Sequence, residues 1–326
     1  MKVGLMINTQ FAAGTDMRAR VPEMVEQVRA ARESGFASLW FPHHYLTAPM
    51  QMFQLTSVLP FLLPEAGGML IGGDILVLPL LNPVSVAEEA ATLDVLSDGH
   101  YVLGVGLGYR EPEYEAFGIA LAERVPRLIE SLGLIRRLWT EDRVTHAGRF
   151  YRVTDAGIGV KPLQSGGPPV WIGGQVEAAI KRAAQIGDAW LIVPTMTHET
   201  LVTTLPMYRD ARREAGKPEA VHYPITRECH IGSRHKDAIE ECVGPLSFKY
   251  DAYATWGQLA QRDKPRPTFV EFARDRFIVG DASFVRDEIA RYRELGVNHF
   301  IMRCQWPGLP HELTLRTIRA LGDIFA

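Results

Sequence analysis

Short apolar runs alternate along this chain with longer stretches whose apolar positions recur every three or four residues. The runs at 3–7, 38–41, 69–78, 101–105, 170–172, 189–193, 225–231 and 298–302 are rich in Val, Ile, Leu and aromatics, and are short enough to be buried strands. The stretches at 21–33, 86–96, 124–139, 177–185, 199–215, 283–295 and 313–321 carry one apolar face each and read as amphipathic helices. Gly35, Gly99, Gly187 and Gly296 follow helix ends, where a left-handed residue stops a helix. Parallel neighbours need helical crossovers, so eight such units predict a parallel sheet. Eight units favour closure into a (β/α)8 barrel, an α/β TIM barrel, with an open doubly wound sheet as the alternative.

Two stretches interrupt the alternation. Residues 143–153 predict a hairpin turning at Ala147–Gly148. Residues 232–276 carry Pro245, Pro265 and Pro267 and predict helices and a lid over the barrel mouth, an insertion long enough to be functional. No linker separates two domains, so residues 1–326 read as one. The stretch 51–63 is apolar on nearly all sides as a helix, with Met52, Phe53, Leu55, Val58, Leu59, Phe61 and Leu62. That excess predicts a subunit interface.

Polar residues at the ends of apolar strands carry the candidate chemistry, because active sites of parallel barrels lie at the carboxyl ends of the strands. The second strand ends in His43-His44-Tyr45. An imidazole there can give or take a proton near neutral pH; alternatively, two histidines are simply hydrogen-bonded in a loop. The first strand ends at Asn8, which reaches a bound ring or caps a turn. The third contains Gly72-Gly73-Asp74-Ile75. These are poor strand formers that mark a bulge or a close backbone approach. A buried Asp74 needs a partner at the strand's end. The fourth ends in Gly106, Gly108, Tyr109 and Arg110, where small residues let something flat approach and Arg110 is available to an anion. Its glycines do not match a dinucleotide fingerprint. The fifth ends in Gly173-Gly174-Gln175 just before a helix, the outline of a phosphate site at a helix N-terminus.

Composition narrows the class. Of 326 residues 47% are hydrophobic and 22% charged, with a net charge of −3. That is ordinary for a globular protein and lacks the basic footprint of a nucleic-acid binder. Arg136-Arg137 and Arg212-Arg213 read as solvated helix faces. Three scattered cysteines, Cys229, Cys242 and Cys304, have neither disulfide nor zinc spacing, which suits a reducing cytoplasm. The first apolar run turns polar at Asn8, too soon for a signal peptide or membrane span.

Assembled, these residues resemble the bacterial luciferase-like flavin-dependent monooxygenase superfamily. The resemblance is carried by SLWFPHHY, IGGDILVLPLLNPVSVAEEAATLDVLSDGHYVLGVGLGY, LWTEDRVTHAGRFYRV, VWIGGQVEAAIKRAAQIGDAWL and VGDASFVRDEIARYRELGVNHFIMR, in family order. It implies a (β/α)8 barrel binding FMN or a deazaflavin at its carboxyl face. In many members a separate reductase supplies reduced flavin, dioxygen is the oxidant, and the chain is a homodimer. The family's active-site histidine falls on His44, and its preceding acidic residue on His43. Its strand-3 bulge, quite often a cis peptide, falls on Asp74-Ile75, where a small residue is usual in place of Asp74. A hydroxyl often found after the phosphate glycines is replaced by Val176. The resemblance makes the first reading an FMN-dependent monooxygenase for a small, largely apolar substrate. A deazaflavin-dependent oxidoreductase and a non-catalytic flavin-binding protein are the alternatives.

Overall fold

Eight parallel strands close on themselves. They are β1 (Lys2–Met6), β2 (Ser38–Phe41), β3 (Leu70–Gly73, resumed at Leu76–Val77), β4 (Tyr101–Gly106), β5 (Val170–Gly174), β6 (Ala189–Ile192), β7 (Pro224–Ile231) and β8 (His299–Arg303). Each pairs in parallel with the next, and β8 returns to β1, with Lys2 opposite His299 and Met6 opposite Arg303. That last pairing makes a TIM barrel and excludes the open sheet. The computed structural model describes residues 1–257 and 269–326.

The helices are α1 (Met17–Glu33), α2 (Leu55–Leu62), α3 (Pro83–Leu96), α4 (Glu111–Ala116), α5 (Arg124–Thr140), α6 (Glu177–Ile186), α7 (His198–Glu214), α8 (His235–Thr255), α9 (Phe269–Ala273), α10 (Ala282–Glu294) and α11 (His311–Phe325). Asp16, Asn82, Thr197 and Asp281 cap α1, α3, α7 and α10 with side-chain oxygens, each contributing about 1 kcal/mol. Gly35, Gly99 and Gly296 adopt positive φ past helix ends, as predicted. Gly187 does not: its φ is −98°, and its carbonyl accepts from Arg212 at 3.0 Å. Arg212 is therefore buried rather than solvated.

Three other expectations change. The single run 69–78 is broken where the Asp74–Ile75 peptide is cis. Pairing with β4 slips there by one residue, from Ile71 opposite Tyr101 to Leu76 opposite Val105, so the predicted bulge is present. The stretch 51–63 is not one helix. Gln51–Met52 pairs antiparallel with Gln10–Phe11, and α2 starts only at Leu55. Its Leu55, Val58, Leu59 and Leu62 are buried in the chain's own core, leaving Phe61 exposed. In the insertion, α8 runs straight through Pro245, while Pro265 and Pro267 lie outside the described residues. The hairpin forms, with Val144–Ala147 against Arg152–Ala156.

The barrel interior is plugged. Met6, Trp40, Val102, Trp171, Leu191 and Ile301 form one buried layer, with Trp40 and Trp171 stacked at 4.9 Å. Such an aromatic pair adds about 0.5–1.5 kcal/mol beyond area burial. Below it Ser38 Oγ meets His299 Nε2 at 2.7 Å and accepts from Trp40 Nε1 at 2.8 Å. A packed interior leaves ligand binding to the ends of the barrel.

Candidate active site

His44 leaves the end of β2 and is held by a residue the sequence reading missed. Its Nδ1 lies 3.1 Å from Glu113 Oε1, on α4. A carboxylate only accepts, so Nδ1 carries the proton and Nε2 keeps its lone pair in the neutral ring. Nε2 has no hydrogen-bond partner among the described residues. Around the ring stand Tyr109 at 5.6 Å, Trp256 at 5.6 Å and Tyr253 at 6.3 Å between centroids. Tyr253 and Trp256 come from the end of α8, so the inserted region does reach this mouth.

Glu113 is fully buried. Its Oε1 also accepts from the Tyr45 amide at 2.9 Å and from Arg110 Nη1 at 3.0 Å. Burial alone would push this carboxyl up. The hydrogen bonds from His44 and Tyr45 and the charge of Arg110 outweigh it and hold the carboxyl below its usual range. Arg110 is therefore not free for an anionic ligand, as the sequence suggested. It pairs with Glu113, donates to the Tyr45 and Leu46 carbonyls, and lies 4.3 Å from the Trp256 ring centroid. The i, i+3 spacing of Arg110 and Glu113 was the available signal.

A second charged group sits beside the first. On β7, Glu228 accepts from Lys249 Nζ and Tyr250 OH on α8 and from Trp306 Nε1. Arg303, at the end of β8, is buried, and its Nε has no partner among the described residues. Burial and the charge of Arg303 push Lys249 down to about 7, against the pull of Glu228. Tyr109 OH is likewise buried without a partner among the described residues, and burial pushes its phenol up.

The family model for luciferase-like monooxygenases matches residues 1–299. The chain belongs to this family. A curated relative, the F420-dependent glucose-6-phosphate dehydrogenase of Amycolatopsis mediterranei, is 28% identical over 325 residues, covering 92% of this chain and 95% of that one. The monooxygenase RslO1 of Streptomyces bottropensis superposes with a TM-score of 0.84 at 22% identity, covering 99% and 98%. The oxygenating constituent of 3,6-diketocamphane monooxygenase of Pseudomonas putida, in complex with FMN, superposes at 0.79 with 17% identity, covering 99% and 97%. The chain spans about half the length of some other curated relatives that it matches. Both FMN and F420 enzymes thus stand among its likenesses, which supports a flavin or deazaflavin without choosing between them. No described helix is long and apolar enough to cross a membrane.

The remaining candidate residues of this luciferase-like chain fall as follows. Asp74 finds the expected partner, accepting through Oδ2 from Thr226 Oγ1. Ile75 fills the space beside Gly106 and Gly173: a Cβ at either would lie 2.8 or 3.0 Å from its side chain. A Cβ at Gly108 would lie 2.7 Å from Val77. Gly106 and Gly108 therefore make room for the side chains of Ile75 and Val77 on β3. Asn8 gives its amide to the Gln10 carbonyl at 2.7 Å, the capped-turn alternative. His43 does not bond His44. It is buried, and its Nδ1 accepts from the Val77 amide at 3.2 Å, which ties β2 to the second half of β3. Gly174 gives its carbonyl to Trp190 Nε1 at 2.8 Å, and Gln175 its Oε1 to Thr195 Oγ1 at 2.8 Å. Next to them α6 begins at Glu177 with Val176 as N-cap and no side-chain cap. The Ala179 amide donates to the Val176 carbonyl at 2.8 Å, while the Glu177 and Ala178 amides of the first turn have no partner among the described residues and keep their donors for a ligand. The orphaned polar atoms of Tyr109, Arg303 and Glu113 and this uncapped helix start fit a polar cofactor with an anionic tail.

Proposed function

We propose that the chain is a flavin-dependent monooxygenase that takes reduced FMN and dioxygen to oxidise a small, largely apolar organic substrate. One observation carries this reading: His44, its Nδ1 proton fixed by buried Glu113, offers an unpartnered Nε2 among the rings of Tyr109, Tyr253 and Trp256. That arrangement suits proton transfer to or from a group held among the rings. The bound cofactor supplies two electrons, one oxygen atom goes to the substrate, and the other leaves as water. The amides of Gly173, Gly174 and Gln175, with the start of α6, would hold the phosphate, and Asp74-Ile75 would contact the ring. A separate reductase supplies the reduced cofactor, the chain works in the cytoplasm, and it pairs as a homodimer. The dimer reading now rests on the family resemblance, since α2 buries most of its apolar residues internally; sedimentation at micromolar concentration tests it.

A second reading, hydride transfer with a deazaflavin and without oxygen, is favoured by the full-length F420-dependent relative. The same His44 then accepts or returns the proton that accompanies the hydride. Substrate-dependent oxygen uptake with reduced FMN supports the first reading. Turnover with the deazaflavin alone, with no oxygen uptake under FMN, replaces it with the second.

A further inference from the structure

Strand β3 stands opposite β7 in the barrel, with three strands between them on either side. The Thr226 hydroxyl nevertheless reaches Asp74 Oδ2. The Asp74 carboxyl therefore reaches from β3 across the barrel to β7, and its neighbour Ile75 packs against the Trp40–Trp171 layer. It stands at the top of the packed interior, at the floor of the mouth. Its Oδ1 has no hydrogen-bond partner among the described residues.

The neighbours of Asp74 are few and mostly neutral. From β7 comes the Thr226 hydroxyl, with Glu228 two residues further on and already saturated by Lys249, Tyr250 and Trp306. From β8 comes the charge of Arg303, itself beside Glu228 and Tyr253. From β2 the Phe41 carbonyl takes the Asp74 amide at 2.8 Å. Further along β2 comes His43, which is committed to Val77. Ile75 separates the bulge from the glycines of β4 and β5. Burial pushes the carboxyl up, and the Thr226 bond and Arg303 oppose it.

We propose that Asp74 contacts the ring of the bound cofactor and that its ionisation lowers the cofactor's redox potential. The inference rests on the cofactor reading above. As a neutral acid Asp74 donates a hydrogen bond to the electron-rich reduced ring. As a carboxylate it repels that ring, and low dielectric magnifies both effects. Reduction then takes up an extra proton wherever Asp74 is ionised beside the oxidised ring and protonated beside the reduced one. The residue is this chain's own departure at a position where the resembled family carries a small side chain.

The test is the midpoint potential of FMN, or of the deazaflavin, bound to the whole chain between pH 5 and 9. It is measured for wild type, Asp74→Asn and Thr226→Val, with cofactor dissociation constants for each. In wild type the potential falls more steeply with pH than in Asp74→Asn, and the two converge at acid pH. At alkaline pH Asp74→Asn favours the reduced over the oxidised cofactor at least tenfold more than wild type does, about 30 mV for a two-electron couple. Thr226→Val, which keeps the carboxyl but removes its hydroxyl donor, moves the steep region to higher pH. Potentials that run parallel in wild type and Asp74→Asn, or a curve unmoved by Thr226→Val, overturn the role of Asp74 alone. Absence of saturable binding of either cofactor to wild type overturns the cofactor reading and this inference with it.

Discussion

His44 and Glu113 act as one unit, so their variants separate chemistry from stability. His44→Ala removes the ring that faces the mouth and leaves Glu113 its bonds from the Tyr45 amide and Arg110. Turnover should fall by about 10²–10⁴-fold, the usual contribution of a general acid–base group, with cofactor affinity nearly unchanged. Steady-state rates beside a binding titration check this, and near wild-type turnover in a folded variant contradicts it. Glu113→Gln strips the anion from between His44 and Arg110 and leaves a buried guanidinium uncompensated. Breaking such a pair costs about 3–5 kcal/mol, so denaturant melts should show a large loss as well as lost turnover. His43 carries a third consequence. Burial pushes it down to about 4, below the ordinary value of about 6.5. The unfolded chain therefore binds more protons between those values. Stability is present above about 6.5 and is lost as pH falls toward 4, by about 3 kcal/mol at 1.4 kcal/mol per unit. His43→Gln should keep an acceptor for Val77 and lose this acid sensitivity, seen in melts at pH 5 and 7.5. At this scale His44 and Asp74 were legible because each breaks an apolar run at a strand's end. Glu113 was not, because it sits in an ordinary acidic helical stretch and its burial comes from tertiary packing. Tyr253 and Trp256 lie far along the chain in an insertion whose path the sequence did not define.

The start of α6 is the element on which the cofactor reading leans. Gly174→Asp is a poor probe of it, because a Cβ there would lie 2.7 Å from the Ala179 Cβ. Val176 is exposed and occupies the N-cap without capping. Val176→Asp should raise helix stability by about 1 kcal/mol while weakening FMN binding at least tenfold, since its carboxylate occupies the amides and repels the phosphate. Opposite signs in melting and titration distinguish this from general damage; unchanged binding would move the phosphate elsewhere. Of the elements, the strands were read to within a residue or two because buried parallel strands are nearly continuous apolar runs. The failures share a cause. Gln51 and Met52 were read as the start of a helix but pair with Gln10–Phe11, and Gly106 and Gly108 leave space that Ile75 and Val77 occupy. Both are contacts with partners distant in the sequence.

At the scale of the whole molecule the barrel follows from the alternation, and its closure from the pairing of β8 with β1. The chemistry does not follow from closure, because this fold hosts many activities. It follows from what gathers at the carboxyl mouth: a His–Glu pair, a ring of aromatics, a carboxyl on the floor and an uncapped helix. The central claim is that these together hold a flavin-type cofactor. Anaerobic equilibrium titration with reduced FMN, and in parallel with reduced deazaflavin, tests it on wild type, Val176→Asp and His44→Ala. The account predicts one saturable site per chain for at least one of the two, weakened at least tenfold by Val176→Asp and little changed by His44→Ala. No saturable binding of either cofactor, or binding indifferent to Val176→Asp, would contradict it.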